Sequence, residues 1–302
     1  MVAERIITEF KEHSGFLQNV SMAGHTSFKI GGMCDAMLCV ESRETLIKAL
    51  RLCRETRTPC TVIGNGTNLL VRDGGIRGLT LKIAEDYSQI TLKGMTATAQ
   101  AGARLATLAR DCIQKNLAGL ETIGGVPGTV GGAVVMNAGA YGREIKDALK
   151  RVWYIDGALE LCEREVKPDD MGYRDSVFMR EGWIVTDAEF SLTRDFDKDA
   201  RRVFDECAKK RREKQPLSMP SGGSVFKRPK DGFAGALIEQ AGLKGASIGG
   251  AQVSELHAGF IVNTGNATAS EVEELIALIQ SRVLENSGVA LEPELRIIGE
   301  CK

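Results

Sequence analysis

Segments of helical period and segments of strand period alternate along this 302-residue chain, which predicts a mixed α/β-type protein. At ~150 residues per domain, the length predicts about two domains with ample chain for a real core. A hydrophobic share of 43% and a charged share of 26% are ordinary globular values and exclude wholesale disorder.

Glu44–Glu55 reads as a helix with Leu46, Ile47, Leu50 and Cys53 on one face. Pro59–Ile63 then reads as a short buried strand that runs directly into Gly64-Asn-Gly-Thr-Asn68. Leu69–Arg72 looks extended, Gly74-Gly75 turns the chain, and Leu79–Ile83 is β-like. Leu105–Ile113 predicts a second helix with Leu105, Leu108, Ala109 and Cys112 in register, followed by the glycine-rich stretch Ile123–Gly142. Trp183–Leu192 alternates so that Ile184, Thr186, Ala188, Phe190 and Leu192 share one face of a strand. The charged stretch Asp195–Asp199 precedes a basic amphipathic helix at Ala200–Arg212, and the main boundary is placed near residue 195. Phe233–Ala241 looks helical and Ala258–Asn263 looks like a buried strand. Thr268–Glu285 is the clearest helix, with Val272, Leu275, Ile276, Ile279 and Val283 on one stripe and Ser270…Glu273 as an expected capping box.

Composition excludes several function classes. Lys and Arg total 39 against 40 Asp and Glu, a net charge of −1, and no long basic block marks a nucleic-acid surface. No apolar run approaches the ~20 residues of a membrane helix, and the first residues (MVAERIITEFKEHSG) lack a signal-peptide core. A soluble cytoplasmic protein is therefore expected, with neither nucleic acid nor membrane as partner. The eight cysteines form no C-x-x-C, and His13, His25 and His257 have no ligand spacing, so no metal site is expected. Cys53 and Cys112 fall on apolar helix faces, where a small buried thiol accounts for them.

Glycine carries the signal. The 34 glycines cluster, most densely at Gly124, Gly125, Gly128, Gly131 and Gly132, and only seven prolines accompany them. Gly64-Asn-Gly66 after a strand invites a dinucleotide-fold reading, but the third glycine is absent and a strand rather than a helix follows. No P-loop pattern occurs. Gly245-Ala-Ser247-Ile-Gly249 matches G-x-S-x-G, but it follows a helix and a glycine turn, and its partners would have to be Glu255 and His257 within ten residues. Two loops remain, VIGNGTNLL and IGGVPGTVGGAVVMNAGAYG. Both are rich in backbone N–H groups with Thr and Asn donors. They read either as nests for phosphate oxygens or as tight β-connections.

Polar residues also sit beside glycines or inside apolar runs: Gly172-Tyr-Arg174-Asp-Ser176, Gly222-Gly-Ser224-Val-Phe-Lys-Arg228, and Leu291-Glu-Pro-Glu294-Leu-Arg-Ile-Ile. A carboxylate within a buried strand is costly unless paired or protonated. For Glu294 a salt bridge to Arg296 or another neighbour is the plain alternative to a functional role.

In order along nearly the whole chain, eight segments resemble one family. They are His25–Gly32 (HTSFKIGG), Gly64–Leu70 (GNGTNLL), Gly125–Gly132 (GVPGTVGG), Asn137–Gly142 (NAGAYG), Tyr173–Phe178 (YRDSVF), Gly223–Pro229 (GSVFKRP), His257–Asn263 (HAGFIVN) and Leu291–Arg296 (LEPELR). The chain resembles the UDP-N-acetylenolpyruvoylglucosamine reductases, flavoenzymes of bacterial peptidoglycan precursor synthesis. The resemblance implies an α+β protein: a two-subdomain FAD-binding region of the vanillyl-alcohol-oxidase type, then a smaller α/β substrate domain. The expected divisions are 1–85, 86–195 and 196–302. Residues 179–220 contain no tyrosine, so the chain is similar to the shorter members lacking the tyrosine loop that closes over substrate.

The family reaction reduces an enolpyruvyl ether of UDP-N-acetylglucosamine to a lactyl ether, with NADPH as reductant and non-covalent FAD as hydride carrier. Hydride addition leaves a carbanion beside a carboxylate, which demands fixed positive charge and a proton donor. By resemblance, Arg174 holds the substrate carboxylate, Ser224 delivers the proton, and Glu294, expected to be protonated, polarises the carboxylate. FAD contacts are carried over to Ile63, Gly64, Asn65, Gly66, Thr67, Asn68 and Leu69 in the first loop. In the second they fall on Gly124, Gly125, Pro127, Gly128, Thr129, Gly131, Gly132, Asn137 and Gly139. Substrate contacts fall on Lys214, expected at the diphosphate, and on Arg228, Tyr141 and His257. A monomer is expected. Another oxidoreductase of the same flavin superfamily and a non-catalytic nucleotide-sugar or flavin binder are the rival readings.

Overall fold

In the computed structural model, which describes residues 2–230 and 232–302, strand-period segments near the N-terminus join one four-stranded sheet. Its order is Phe16–Ser21, Met33–Cys39, Ile76–Lys82, Cys60–Ile63. The first pair is antiparallel and the other two are parallel. Helix α1 (Glu4–Phe10) precedes it, and α2 (Arg43–Thr56) supplies the crossover that a parallel connection needs. Ser42 caps α2 by accepting the Thr45 N–H at 3.0 Å. Of Cys60–Ile63 only Ile63 is buried, so the expected buried strand is an edge strand with its last residue in the core.

The second sheet is antiparallel throughout, in the order Leu161–Glu165, Leu149–Ile155, Ile184–Ser191, Thr96–Gln100, Ile90–Lys93. Alternation predicts one buried face for Ile184–Ser191, but Val185 and Asp187 on the other face are buried as well. Asp187 is tolerated there because the Arg43 guanidinium donates to it at 2.7 Å and the Tyr87 hydroxyl at 3.1 Å. That cluster ties the second sheet to α2. Helices α3 (Leu105–Gln114) and α4 (Val130–Val135) cover this sheet, and Cys53 and Cys112 are buried in the shared core. Helix α4 lies inside a stretch read as loop. Its glycines disfavour a helix, but the Thr129 hydroxyl caps it and Gly131 rests against Ala101, where any larger residue would collide.

Helices α5 (Val177–Arg180) and α6 (Asp199–Lys214) lead to the third sheet, ordered Ser221–Ser224, Phe260–Asn263, Ala251–Val253, Ser247–Ile248. Helices α7 (Ala234–Gln240) and α8 (Ala269–Ser287) pack on it. The stripe Val272, Leu275, Ile276, Ile279 and Val283 is buried as its period predicts, each side chain contributing about 1.5–3 kcal/mol. The capping box of α8 is Thr268 with Glu271, two residues earlier than Ser270…Glu273. Ser270 instead donates its hydroxyl to Asp73 at 2.7 Å, and Glu273 pairs with Arg72 at 2.9 Å. The chain ends by returning to the first region: Arg296–Ile298 pairs in parallel with Leu69–Val71. Among the described residues no helix is long and apolar enough to cross a membrane.

Candidate active site

The two glycine loops meet. The Thr67 hydroxyl donates to the Pro127 carbonyl at 3.3 Å, and a Cβ on Gly64 would sit 2.5 Å from the Thr129 hydroxyl oxygen. Gly66 has a φ of +63° with the His25 carbonyl where a Cβ would be, so only glycine fits on both counts. Together the loops wall a cleft of about 1260 Å3, larger than the ~300–1,000 Å3 of most ligand pockets, so a cofactor and a second ligand can share it. Its floor is backbone and small side chains, the surface an extended diphosphate requires. The cleft therefore fits FAD.

Of the residues assigned to the cofactor, Ile63–Leu69 line the cleft, as do Gly125, Pro127–Thr129, Gly131, Gly132 and Gly139. Gly124 and Asn137 do not. Gly124 is buried under α6, where a Cβ would meet Ala109 and Phe204. Asn137 is fully buried and works as a brace: its amide donates to the Gly172 carbonyl at 2.6 Å and to Glu144 at 3.1 Å.

That brace holds the hairpin Met171–Ser176, in which Arg174 occupies the second turn position with a φ of 53°. A left-handed conformation costs a non-glycine residue about 1–2 kcal/mol, so the arginine is held there by its side chain. The guanidinium donates to Glu294 Oε1 at 2.7 Å and to the Gly139 carbonyl at 3.1 Å, and it stacks over the Tyr173 ring at 4.9 Å. Its remaining donors are free for a ligand.

Glu294 is fixed by its backbone. Its N–H donates to the Val225 carbonyl at 2.7 Å, and its own carbonyl accepts the Asn68 amide at 3.1 Å. Burial pushes the Glu294 carboxyl above its usual range, against the opposing pull of Arg174. The partner left open between Arg296 and another neighbour is thus Arg174, 120 residues away in sequence. Glu292, by contrast, is exposed and pairs with Lys227. Ser224 ends its strand next to Val225 and is exposed to the cleft. Arginine and carboxyl therefore meet from distant segments, bonded to the glycine loops through Gly139 and Asn68, and the Ser224 hydroxyl lines the same cleft.

Around the mouth, Tyr141 stands on the turn of the Gly139–Glu144 hairpin, and its hydroxyl donates to the Cys207 carbonyl of α6 at 3.1 Å. Arg228 lies over the Phe233 ring at 4.2 Å, and its backbone N–H donates to the Tyr173 hydroxyl at 3.1 Å. His257 lines the cleft with its Nδ1 accepting the Gly259 N–H at 3.1 Å, and burial lowers its pKa. Lys214 is exposed at the end of α6 and outside the lining, whereas Arg211 and Gln215 are within it. The resemblance named Lys214 on the basic helix and did not single out Arg211, three residues earlier. Nor did it single out Phe233, the first residue of a segment read as a helix, or Leu256, two residues before a segment read as a strand, both exposed apolar residues of the lining.

The C-terminal domain of UDP-N-acetylenolpyruvoylglucosamine reductase, as a family, matches residues 215–298, and the FAD binding domain family matches residues 34–158. A UDP-N-acetylenolpyruvoylglucosamine reductase of Alkaliphilus oremlandii is 44% identical over 298 residues, covering 99% of this chain and 98% of that one. One from Syntrophomonas wolfei is 48% identical over 286 residues, covering 93% and 94%. Among solved structures, the UDP-N-acetylenolpyruvylglucosamine reductase of Thermus caldophilus superposes with a TM-score of 0.79 at 35% identity, covering 92% of this chain and 97% of that one.

Proposed function

This chain belongs to the UDP-N-acetylenolpyruvoylglucosamine reductase family, an FAD-dependent enzyme family with an α+β fold, and from that premise we propose its substrates and the residues that act on them. It reduces UDP-N-acetylenolpyruvoylglucosamine to UDP-N-acetylmuramate in the cytoplasm, with NADPH as reductant. The divisions 1–85, 86–195 and 196–302 serve as FAD subdomains and substrate domain. FAD held by the two glycine loops would supply the hydride chemistry, with NADPH as the source and the substrate alkene as the acceptor.

The residues of the chain do the rest. The two glycine loops receive the cofactor diphosphate on backbone N–H groups. Arg174 holds the substrate carboxylate through the donors left free by Glu294 and Gly139, and stabilises the charge that builds when hydride adds to the alkene. Glu294, whose burial favours the protonated form, donates to that carboxylate instead of repelling it. Ser224 protonates the α-carbon. A hydroxyl is a sufficient acid toward so basic a carbon. The observation that carries the reading is the Arg174–Glu294 contact at 2.7 Å inside a cleft floored by both glycine loops.

The test is a spectrum. Purified protein should be yellow, should bleach with NADPH, and should regain colour when UDP-N-acetylenolpyruvoylglucosamine is added anaerobically. Bleaching with no recovery on that substrate overturns the substrate assignment in favour of another flavin oxidoreductase. A protein that takes up no FAD overturns the flavoenzyme itself.

A further inference from the structure

Of the cysteines, all free, Cys60 and Cys301 are exposed, and among the described residues Cys60 is the one that lines the cleft. Cys53, by contrast, is buried in the core. The chain brings these two together. Helix α2 ends at Thr56, Arg57 takes the left-handed conformation that closes it, and the Thr58 N–H donates back to the Cys53 carbonyl at 2.9 Å. The Thr56 and Thr58 hydroxyls share a hydrogen bond of 2.9 Å, and the Pro59 carbonyl accepts the Leu79 N–H at 2.9 Å, so the turn is held at both ends. Cys60 thereby starts its strand beside the last turn of α2, and its thiol shares a hydrogen bond with the Cys53 thiol.

The pair spans the boundary between core and cleft. Leu50, at i−3 from Cys53 on α2, lines the cleft together with Cys60, and the strand from Cys60 runs straight into the first glycine loop. A solute can therefore reach the Cys60 sulfur, and anything attached to it stands in the cleft. The shared hydrogen bond outweighs burial and lowers the pKa of Cys53; the same bond, with partial desolvation, raises that of Cys60. One proton thus leaves the pair more readily than the second, and it can pass between the sulfurs along their hydrogen bond. A reachable thiol with a second thiol in contact is the arrangement that first attacks a disulfide and then resolves the adduct.

We propose that Cys60 and Cys53 are a thiol–disulfide exchange pair for low-molecular-weight disulfides, Cys60 taking the adduct and Cys53 clearing it from the cleft. The Cys60 thiolate attacks one sulfur of the small disulfide; a Cys60–sulfur bond forms, the small disulfide's S–S bond breaks, and the leaving thiolate takes up the proton Cys60 released. Cys53 then attacks the Cys60 sulfur, the Cys53–Cys60 bond forms, and the second small thiol leaves with the proton of Cys53. Two protein thiols are oxidised and one small disulfide is reduced to two thiols. The internal bond draws the Cys60 sulfur toward the core, whereas an uncleared adduct blocks the space in which FAD fits. That last consequence rests on the reading that FAD occupies the cleft.

The test exposes the full chain, stripped of flavin, to oxidised glutathione and reads each cysteine by peptide mass spectrometry after alkylation of the remaining thiols. The parent should yield the Cys53–Cys60 disulfide with no glutathione left on Cys60, and its FAD affinity, read by quenching of flavin fluorescence, should stay within about twofold of the untreated value. Cys53→Ala should instead hold glutathione on Cys60 and bind FAD at least about tenfold more weakly than the same variant untreated, with full recovery on adding a thiol reductant. Should Cys53→Ala fail to fold, Cys53→Ser tests the same step with a side chain of similar size. A glutathione adduct that persists on Cys60 in the parent, or a Cys60 left unmodified in both proteins, overturns the exchange pair. A Cys60 adduct that leaves FAD affinity unchanged overturns the clearing role. The mass readout needs neither cofactor nor turnover, so a parent that forms the disulfide but reduces no substrate refutes the proposed reaction without touching this assignment.

Discussion

Replacing Arg174 with Met removes the cation hydrogen-bonded to Glu294, leaving the weaker pull of Lys227, while keeping much of the packed volume. The two side chains are 16% and 15% exposed and 2.7 Å apart. Stranding a fully buried charge costs about 3–5 kcal/mol, but here the loss is capped because the carboxylate can take up a proton instead. Burial already raises the Glu294 pKa, and without Arg174 it must climb further. The sign follows from proton binding. A carboxyl whose folded pKa is raised binds its proton more tightly in the native state, so stability falls as pH rises from the unfolded value to the folded one, then levels. In Arg174→Met that window extends higher. Parent and variant should therefore differ by a constant packing offset at pH 4–5. Above the parent's folded value the difference should widen by about 1.4 kcal/mol per pH unit, to a ceiling near ~3 kcal/mol. Urea denaturation midpoints across pH, with FAD saturating, read this directly. A difference between the two proteins that does not vary with pH would refute the reasoning.

Other consequences are open to equally direct checks. Reoxidation of reduced enzyme by substrate should slow as pH rises through the raised Glu294 pKa, and Glu294→Gln should lose that dependence and run about 100-fold slower; identical pH profiles would exclude the role. Gly66→Ala meets a left-handed φ and the His25 carbonyl, so the isolated protein should retain little flavin, as read from its absorbance. Asp73 accepts from the Ala269 and Ser270 N–H groups at 2.9 and 3.0 Å, capping α8 from outside the helix. Burial raises the Asp73 pKa, but these bonds and the Ser270 hydroxyl outweigh it and hold it below its usual range. Asp73→Ala should cost about 1–2 kcal/mol at neutral pH, and the cost should vanish as acid titrates the parent through that lowered pKa.

What the sequence disclosed divides by distance along the chain. The stripe on α8 and the strand before Gly64 were legible because their determinants lie within a few residues. The α8 capping box was misplaced by two residues because Ser270 is claimed by Asp73, 197 positions upstream, which no local window contains. Alternation at Ile184–Ser191 hid the burial of Asp187 for the same reason, since its partners are Arg43 and Tyr87. At the site, glycine clustering pointed to a phosphate cradle, and family likeness selected Arg174, Ser224 and Glu294. That Arg174 is Glu294's partner, and that Arg211 rather than Lys214 faces the cleft, depend on how α6 and a two-residue turn are seated. Neither leaves a mark in composition or period.

In the proposed reaction Ser224, adjacent in sequence to the Val225 whose carbonyl holds the Glu294 backbone, protonates substrate after hydride transfer. The direct measurement is anaerobic stopped-flow of Ser224→Ala in two halves. Bleaching by NADPH should proceed at the parent rate, while recovery of colour with UDP-N-acetylenolpyruvoylglucosamine should slow by about 10²–10⁴-fold. Equal slowing of both halves, or recovery at the parent rate, would contradict it.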